Sequence, residues 1–371
     1  MKVDFSKYPF TVSLNDYMVA VHKYVVDLDS LLENKNIVNL AIKRIESAIK
    51  GKVFDGRALS TDDLVISFHI AVLLIKKINS RWLQSRFANF EAERSYRFLQ
   101  EEDSLSLMNV LRVSGINVGK PQKELRILVG HTRGGREVHD TYDFIVEFQD
   151  YLRYTRRFWG ESKWKLVNRL VSGGFVYIRR DELVRLGKEV FYAKITDIFD
   201  KTGLVPIQTL ESLAEKVKQL IPEKYSDTGG LRGLSLTGKG RKVVVEALPP
   251  CIKRIYNAML KGDNLSHHER FAIATFLLAL DVELEYLVDL FRNLPDFNEK
   301  ITRYQIEHLA GKRGSGRKYS PYNCENMRSR GLCVAECGVK HPLTYYFREL
   351  RKLKKEKDQG KTQLTSSETQ R

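Results

Sequence analysis

From residue 13 to 117, apolar residues recur every three or four positions. "DYMVAVHKYVVDLDSLLE", "NIVNLAIKRIESAIKG" and "STDDLVISFHIAVLLIKKINSRWLQSRFANFEAERSYRFLQEE" all carry that spacing. It gathers apolar side chains on one helical face and predicts a mostly helical segment. Ser60 with Asp63 forms a capping box for the third stretch, and the Gly51 region ends the second.

The period changes near residue 123. "ELRILVG" is short and β-branched and is followed by the loop "GHTRGGRE", so it predicts a strand. "HDTYDFIVEFQDYLRY" fits strand or helix. "SKWKLVNRLVSGGFVYIRRDELVRLGKEVFYAKITDIFDK" predicts helix, Gly-Gly turn, short strand and helix. No repeated strand–helix–strand rhythm of a nucleotide-binding sheet is present. Pro222, Ser226, Gly229, Gly230, Gly233, Gly238 and Gly240 make residues 221–246 turn-rich. After them Pro249 and Pro250 suit a helix start, with Ile252, Ile255, Tyr256 and Met259 on one face. "SHHERFAIATFLLALD" and "ELEYLVDLFRNLPDF" predict two further helices.

The expected fold is therefore mainly α. A helical N-terminal domain spans residues 1–220, with a small α/β insert at about 120–200. A linker covers 221–246 and a helical C-terminal domain 247–350. The charged, then polar, tail 351–371 is expected to be disordered past about Lys357.

Length agrees with two domains, since 371 residues at 43% hydrophobic content fill two ordinary cores. The longest apolar run, "FAIATFLLALDV", is too short to span a bilayer. "MKVDFSKYPF" lacks the apolar core of a secretory signal, so a cytoplasmic protein with no membrane partner is expected. The formal charge of +16 calls for a polyanionic partner, nucleic acid first.

Candidate chemistry concentrates in "YSPYNCENMRSRGLCVAECGVKHPL". The spacing is Cys251, a gap of 72 residues, then Cys324-x8-Cys333-x3-Cys337-x3-His341. Four cysteines in a chain without a signal peptide argue against a disulfide framework. Three readings compete: small core thiols, a Cys3His zinc site that uses His341 and leaves Cys251 idle, and a four-cysteine iron–sulfur site. Spacing does not separate the two metals.

Just upstream, "HLAGKRGSGRKYSPY" places Lys312, Arg313, Arg317 and Lys318 among glycines, beside Tyr319 and Tyr322. Cations neutralise phosphate, glycines let backbone approach it, and aromatic rings stack on bases. "SHHERF" sets His267, His268 and Arg270 at a helix N-terminus, a ready anion site. Nucleotide polymerisation needs metals held by carboxylates. Asp27 with Asp29, and Asp140 with Asp143, read as surface or capping carboxylates, and no Walker-type loop is present.

A resemblance orders these elements. "LPPCI" (248–252), "SHHERF" (266–271), "YQIEHLAGKRGSGRKYSPYNC" (304–324), then "GLC", a single Cys and "HPL" resemble the C-terminal domain of the large subunit of archaeal and eukaryotic DNA primase. "YPF" at 8–10 and "RILVGHT" are similar to the archaeal N-terminal half. The resemblance implies a [4Fe–4S] cluster held by Cys251, Cys324, Cys333 and Cys337. It implies contacts to the 5′-triphosphate end and template from His267, Arg270, Tyr304 and His308, with Lys253 and Arg254 next to them. The partners it implies are a small catalytic subunit docked on the insert, single-stranded DNA template, an RNA or DNA primer and the initiating nucleoside triphosphate. The chain would then be a non-catalytic regulatory subunit supporting RNA primer synthesis in DNA replication, in an archaeal cytoplasm and at the nucleoid. One departure stands out: eukaryotic members usually carry Arg where this chain has Glu307. Two alternatives remain at this stage, a zinc-containing RNA- or DNA-binding protein unrelated to priming and an iron–sulfur nuclease acting alone.

Overall fold

A computed structural model describes residues 3–353, except 24, 26, 55, 57, 124, 159–160, 204–206, 222–235, 239–240 and 315. The chain divides into two compact units, Met1–Gly229 and Gly230–Arg371. Most of the predicted linker and nearly all of the tail lie outside the described residues. Both units are mainly helical, as the periodicity predicts. No helix among the described residues is long and apolar enough to cross a membrane.

The first unit opens with α1 (Leu14–His22), α2 (Leu28–Glu33), α3 (Lys35–Lys50), α4 (Thr61–Ile78), α5 (Arg81–Glu101) and α6 (Ser104–Val113). Ser60 and Asp63 form the expected capping box on α4. Gly51 ends α3 in the left-handed conformation, φ 65°. The long third stretch breaks where periodicity gave no warning. Asn79 turns left-handed at φ 57°, and the Ser80 hydroxyl then caps α5 by accepting from Leu83 N. Asp27 is an N-cap rather than a residue inside a helix, accepting from Asp29 N. Tyr8 and Phe10 of "YPF" are 0% and 1% exposed and pack on Phe191 at 5.7 and 5.0 Å.

The insert follows with β1 (Val118–Gly119), β2 (Leu125–His131), β3 (Glu137–Tyr142), β4 (Phe144–Glu147), α7 (Phe148–Tyr154), β5 (Val171–Ser172) and β6 (Phe175–Ile178). One antiparallel sheet has the order β1-β4-β6-β5, while β2 and β3 form a separate ribbon. The ambiguous stretch "HDTYDFIVEFQDYLRY" is thus strand, strand and helix in turn. The helix predicted at 162–171 does not form; Ser162–Trp164 and Leu166–Asn168 are single 3-10 turns. Trp164 is 1% exposed against Phe158, and Arg169 is pulled across to Glu182 and to Tyr177 O. Those contacts pull the segment away from α-helical geometry. α8 (Arg180–Lys201) lies along α5, where a Cβ on Gly187 would sit 2.4 Å from Leu99 Cδ2. α9 (Gln208–Lys218) completes the unit.

The second unit has a hairpin, β7 (Leu236–Gly238) and β8 (Arg241–Val243), then α10 (Pro250–Leu260), α11 (His267–Ala279), α12 (Leu284–Phe291), α13 (Glu299–Leu309), α14 (Cys324–Ser329) and α15 (342–353). Ile252, Ile255, Tyr256 and Met259 of α10 are buried, as their shared face predicts. Ser266 and Glu269 cap α11 reciprocally. Tyr346 of α15 packs edge-on to Phe276 and accepts a hydrogen bond from Val244 N, 3.0 Å.

Candidate metal centre and nucleic-acid interface

The four cysteines line one cavity although 72 residues separate the first from the rest. Cys251 is the second residue of α10 and Cys324 the first of α14, after the Asn323 cap. Cys324 N donates to Lys340 O at 3.0 Å, bringing the two limbs of the segment together. Gly331 turns left-handed at φ 66°, and Cys333 N then donates back to Met327 O. Cys333 Sγ and Cys337 Sγ both approach Ala335 O, at 3.4 and 3.5 Å. Arg348 of α15 donates to Cys337 O.

All four cysteines line one small cavity with Pro249, Met327, Arg328, Val339 and Tyr345 among its other walls. Burial pushes the Cys251 thiol up to about 11, with Cys333 and Cys337 adding to the rise. Cys324 and Cys337 are raised for the same first reason, while Arg328 favours both their thiolates and Arg348 that of Cys337. A group that takes these sulfurs as thiolates must bring compensating positive charge. Four soft sulfur donors in an apolar shell suit iron–sulfur or zinc chemistry. Among the described residues, no three His, Cys, Asp or Glu side chains gather as a group that could hold a metal ion. His341 is not part of the cavity wall; its Nδ1 accepts from Leu343 N at 3.2 Å.

Next to the cysteines a run of rings crosses the surface. Tyr304 stacks on His308 (6.4 Å between centroids), His308 meets Tyr319 (5.4 Å) and Tyr319 meets Phe271 edge-on (6.0 Å). Phe271 stacks on Tyr322 at 4.6 Å. Tyr322 Oη and His268 Nδ1 lie 2.9 Å apart, and His267 packs against His268. Arg330 covers Tyr322 at 4.5 Å, and Arg313 covers Tyr304 at 5.6 Å. Tyr304 and Tyr319 are 53% and 40% exposed, so they present ring surface to solvent. Exposed rings flanked by guanidinium and ammonium groups can stack bases and neutralise phosphate.

Two family profiles match the chain. Residues 8–206 match "Eukaryotic and archaeal DNA primase, large subunit N-terminal domain", and residues 241–367 match the corresponding C-terminal domain. The chain belongs to the DNA primase large-subunit family. Among its relatives are proteins named DNA primase large subunit PriL. That of Methanocella arvoryzae is 32% identical over 368 residues, covering 95% of this chain and 90% of the relative. That of Haloarcula marismortui is 32% identical, covering 93% and 92%. That of Methanosarcina mazei is 30% identical, covering 96% and 91%. As a primase large subunit of archaeal type, the chain is a regulatory subunit of the replication primase.

Within this large subunit the expected contact residues fall into distinct settings. Tyr304, His308 and His267 lie on the run of rings. Lys253, Lys312 and Arg317 are exposed, and Lys312 has a coulombic neighbour in Glu285. Arg254 pairs with Glu269 at the start of α11, and Lys318 lies 3.8 Å from Asp281. Arg313 pairs with Glu307. Arg270 is tied elsewhere: it donates to Leu265 O, to Asn264 Oδ1 and to both oxygens of Asp296. Its guanidinium joins the start of α11 to the segment after α12. Sequence reasoning did not single out Phe271 or Arg330. Phe271 follows His267 by four residues on α11, which is a readable signal. Arg330 carried none.

Proposed function

We propose that Cys251, Cys324, Cys333 and Cys337 hold a [4Fe–4S] cluster in this primase large subunit. The observation that supports this is the shared cavity, which takes in Cys251 from a distant helix. A Cys3His zinc site would instead need His341, which does not line that cavity. When bound, the cluster supplies the positive charge and cross-linking that four clustered thiolates, one of them buried, require.

The face formed by Tyr304, His308, Tyr319, Phe271 and Tyr322, with Lys253, Lys312 and Arg317, binds single-stranded template and the 5′-triphosphate end of the primer or initiating nucleotide. Arg254, Arg313, Lys318 and Arg270 contribute through rearranged pairs or by positioning. The large subunit thereby holds the two reactants of the first bond close together. Asp27 and Asp29 serve as a helix cap and its first turn. Bond formation is assigned to a small catalytic subunit, docked on the α/β insert. Exposed Phe148, Val167 and Val171 give the insert an apolar surface for that contact.

The test is an absorption spectrum with iron, sulfide and zinc analysis on anaerobically purified protein, beside Cys251→Ala. A broad visible band with iron and sulfide, lost or weakened in the variant, is the expected result. Stoichiometric zinc that survives Cys251→Ala would sink the four-cysteine assignment.

A further inference from the structure

α13 ends at Leu309 and the chain folds back on itself before Tyr319. Gly311 is left-handed at φ 74°, and a Cβ there would come within 2.8 Å of Gly316 O and Lys318 N. The two limbs of the loop therefore touch backbone to backbone. Lys312 N donates to Glu307 O and Tyr319 N to Leu309 O, both at 2.9 Å. A Cβ on Gly314 would stand only 3.0 Å from the His308 ring. This path returns Tyr319 to His308. One side-chain contact fastens the outside of the loop: Arg313 Nε donates to Glu307 Oε2, and its guanidinium lies over Tyr304. Tyr304 and Glu307 are three residues apart on α13 and so share a face.

We propose that Glu307 is a positioning residue. It holds Arg313 as a clasp that closes the glycine loop over Tyr304 and keeps Tyr304, His308 and Tyr319 in stacking register. This role rests on the nucleic-acid reading of the face. The Glu307 carboxylate repels phosphate and neutralises Arg313. A phosphate reaching Arg313 would have to displace that carboxylate. Exposed Arg317, and Lys312 with only a coulombic neighbour in Glu285, meet it at lower cost. An exposed pair of this kind has little electrostatic worth in itself. Its effect is to order a loop that carries three left-handed glycines, Gly311, Gly314 and Gly316.

The decisive experiment uses the full-length chain as wild type, Glu307→Gln, Arg313→Ala and the reversed pair Glu307→Arg with Arg313→Glu. Two quantities are read: hydrogen exchange across residues 309–319, and affinity for a DNA template annealed to a short RNA with a 5′-triphosphate. Glu307→Gln and Arg313→Ala are both expected to speed exchange. Arg313→Ala is expected to weaken binding about fivefold, the ratio that ~1 kcal/mol sets, and Glu307→Gln to weaken it less, because it also removes a charge that repels phosphate. The reversed pair is expected to restore slow exchange and most of the affinity. Normal exchange with affinity still lost in the reversed pair would make Arg313 a direct phosphate contact and overturn the clasp. No change in either quantity on Glu307→Gln overturns it as well. Exchange that responds as expected in a protein that does not bind the probe supports the clasp and overturns the nucleic-acid reading.

Discussion

Phe271 and Tyr322 stack 4.6 Å apart, two residues before Cys324 begins α14. The central rings of the face are thus held by the segment that carries the cysteines. Tyr319→Ala removes the middle of the run, a ring 40% exposed that joins His308 to Phe271. Binding of single-stranded DNA should weaken by about 1–3 kcal/mol, the worth of one stacked base. Fluorescence anisotropy reads this; a change under twofold would show that bases do not use the face.

Stacking and charge are separable by salt. Lys312→Ala and Arg317→Ala should each lower the slope of log affinity against log salt by about 1. Tyr319→Ala should leave the slope as it was. Titrations at several salt concentrations decide it, and equal slopes for all proteins would remove Lys312 and Arg317 from the interface.

The first unit has its own keystone. Arg44 and Glu91 are both fully buried and meet through two bonds, Nε–Oε1 at 2.6 Å and Nη2–Oε2 at 2.7 Å. Arg44 also donates to Leu64 O and lies over Phe68. Glu91→Ala would leave a buried cation unpaired and should cost about 3–5 kcal/mol. Denaturant unfolding monitored on the first unit measures this, and a loss below about 1 kcal/mol would contradict it.

His69 predicts an acid weakness in the same unit. Burial holds its imidazole neutral and pushes its pKa down to about 4, against the opposing pull of the Val12 and Pro9 backbone. The unfolded chain takes up that proton near the ordinary value of ~6.5. Stability from this group is therefore complete above about pH 6.5 and is lost as the pH falls towards 4. The loss at the lower limit is ~3 kcal/mol. Thermal melts from pH 7 to 4.5 should show it, and His69→Gln should flatten the dependence. An unchanged profile in that variant would assign the acid sensitivity to other groups.

Local signals in the chain were legible and distant ones were not. The Ser60–Asp63 capping box, the Gly51 stop and the buried face of α10 each depend on neighbours within a turn or two. Asn79 breaks a run whose periodicity continues across it, because a single left-handed residue scarcely disturbs an apolar count. Trp164 and Arg169 draw their segment out of helix through contacts with Phe158 and Glu182, which no local window contains. At the site, the clustered cysteines and the basic glycine loop were plain. Whether Cys251 joined them was left open by the residues and decided only by family resemblance, since spacing over 72 residues carries no geometry. The commitment of Arg270 to Asp296 was equally invisible, because that partner comes from the far side of α12.

The loop from Leu309 to Tyr319 is closed at its base by the bond from Tyr319 N to Leu309 O. The rings stand at or outside that closure, while Lys312, Arg317 and Lys318 ride within it. Substitutions inside the loop, away from its glycines and the Arg313 clasp, can add or remove cationic charge without moving the rings. On the proposed nucleic-acid reading, the strength of polyanion binding and the shape recognised are therefore adjustable one at a time. A lineage working at higher salt would retune the first by point mutation and inherit the second intact.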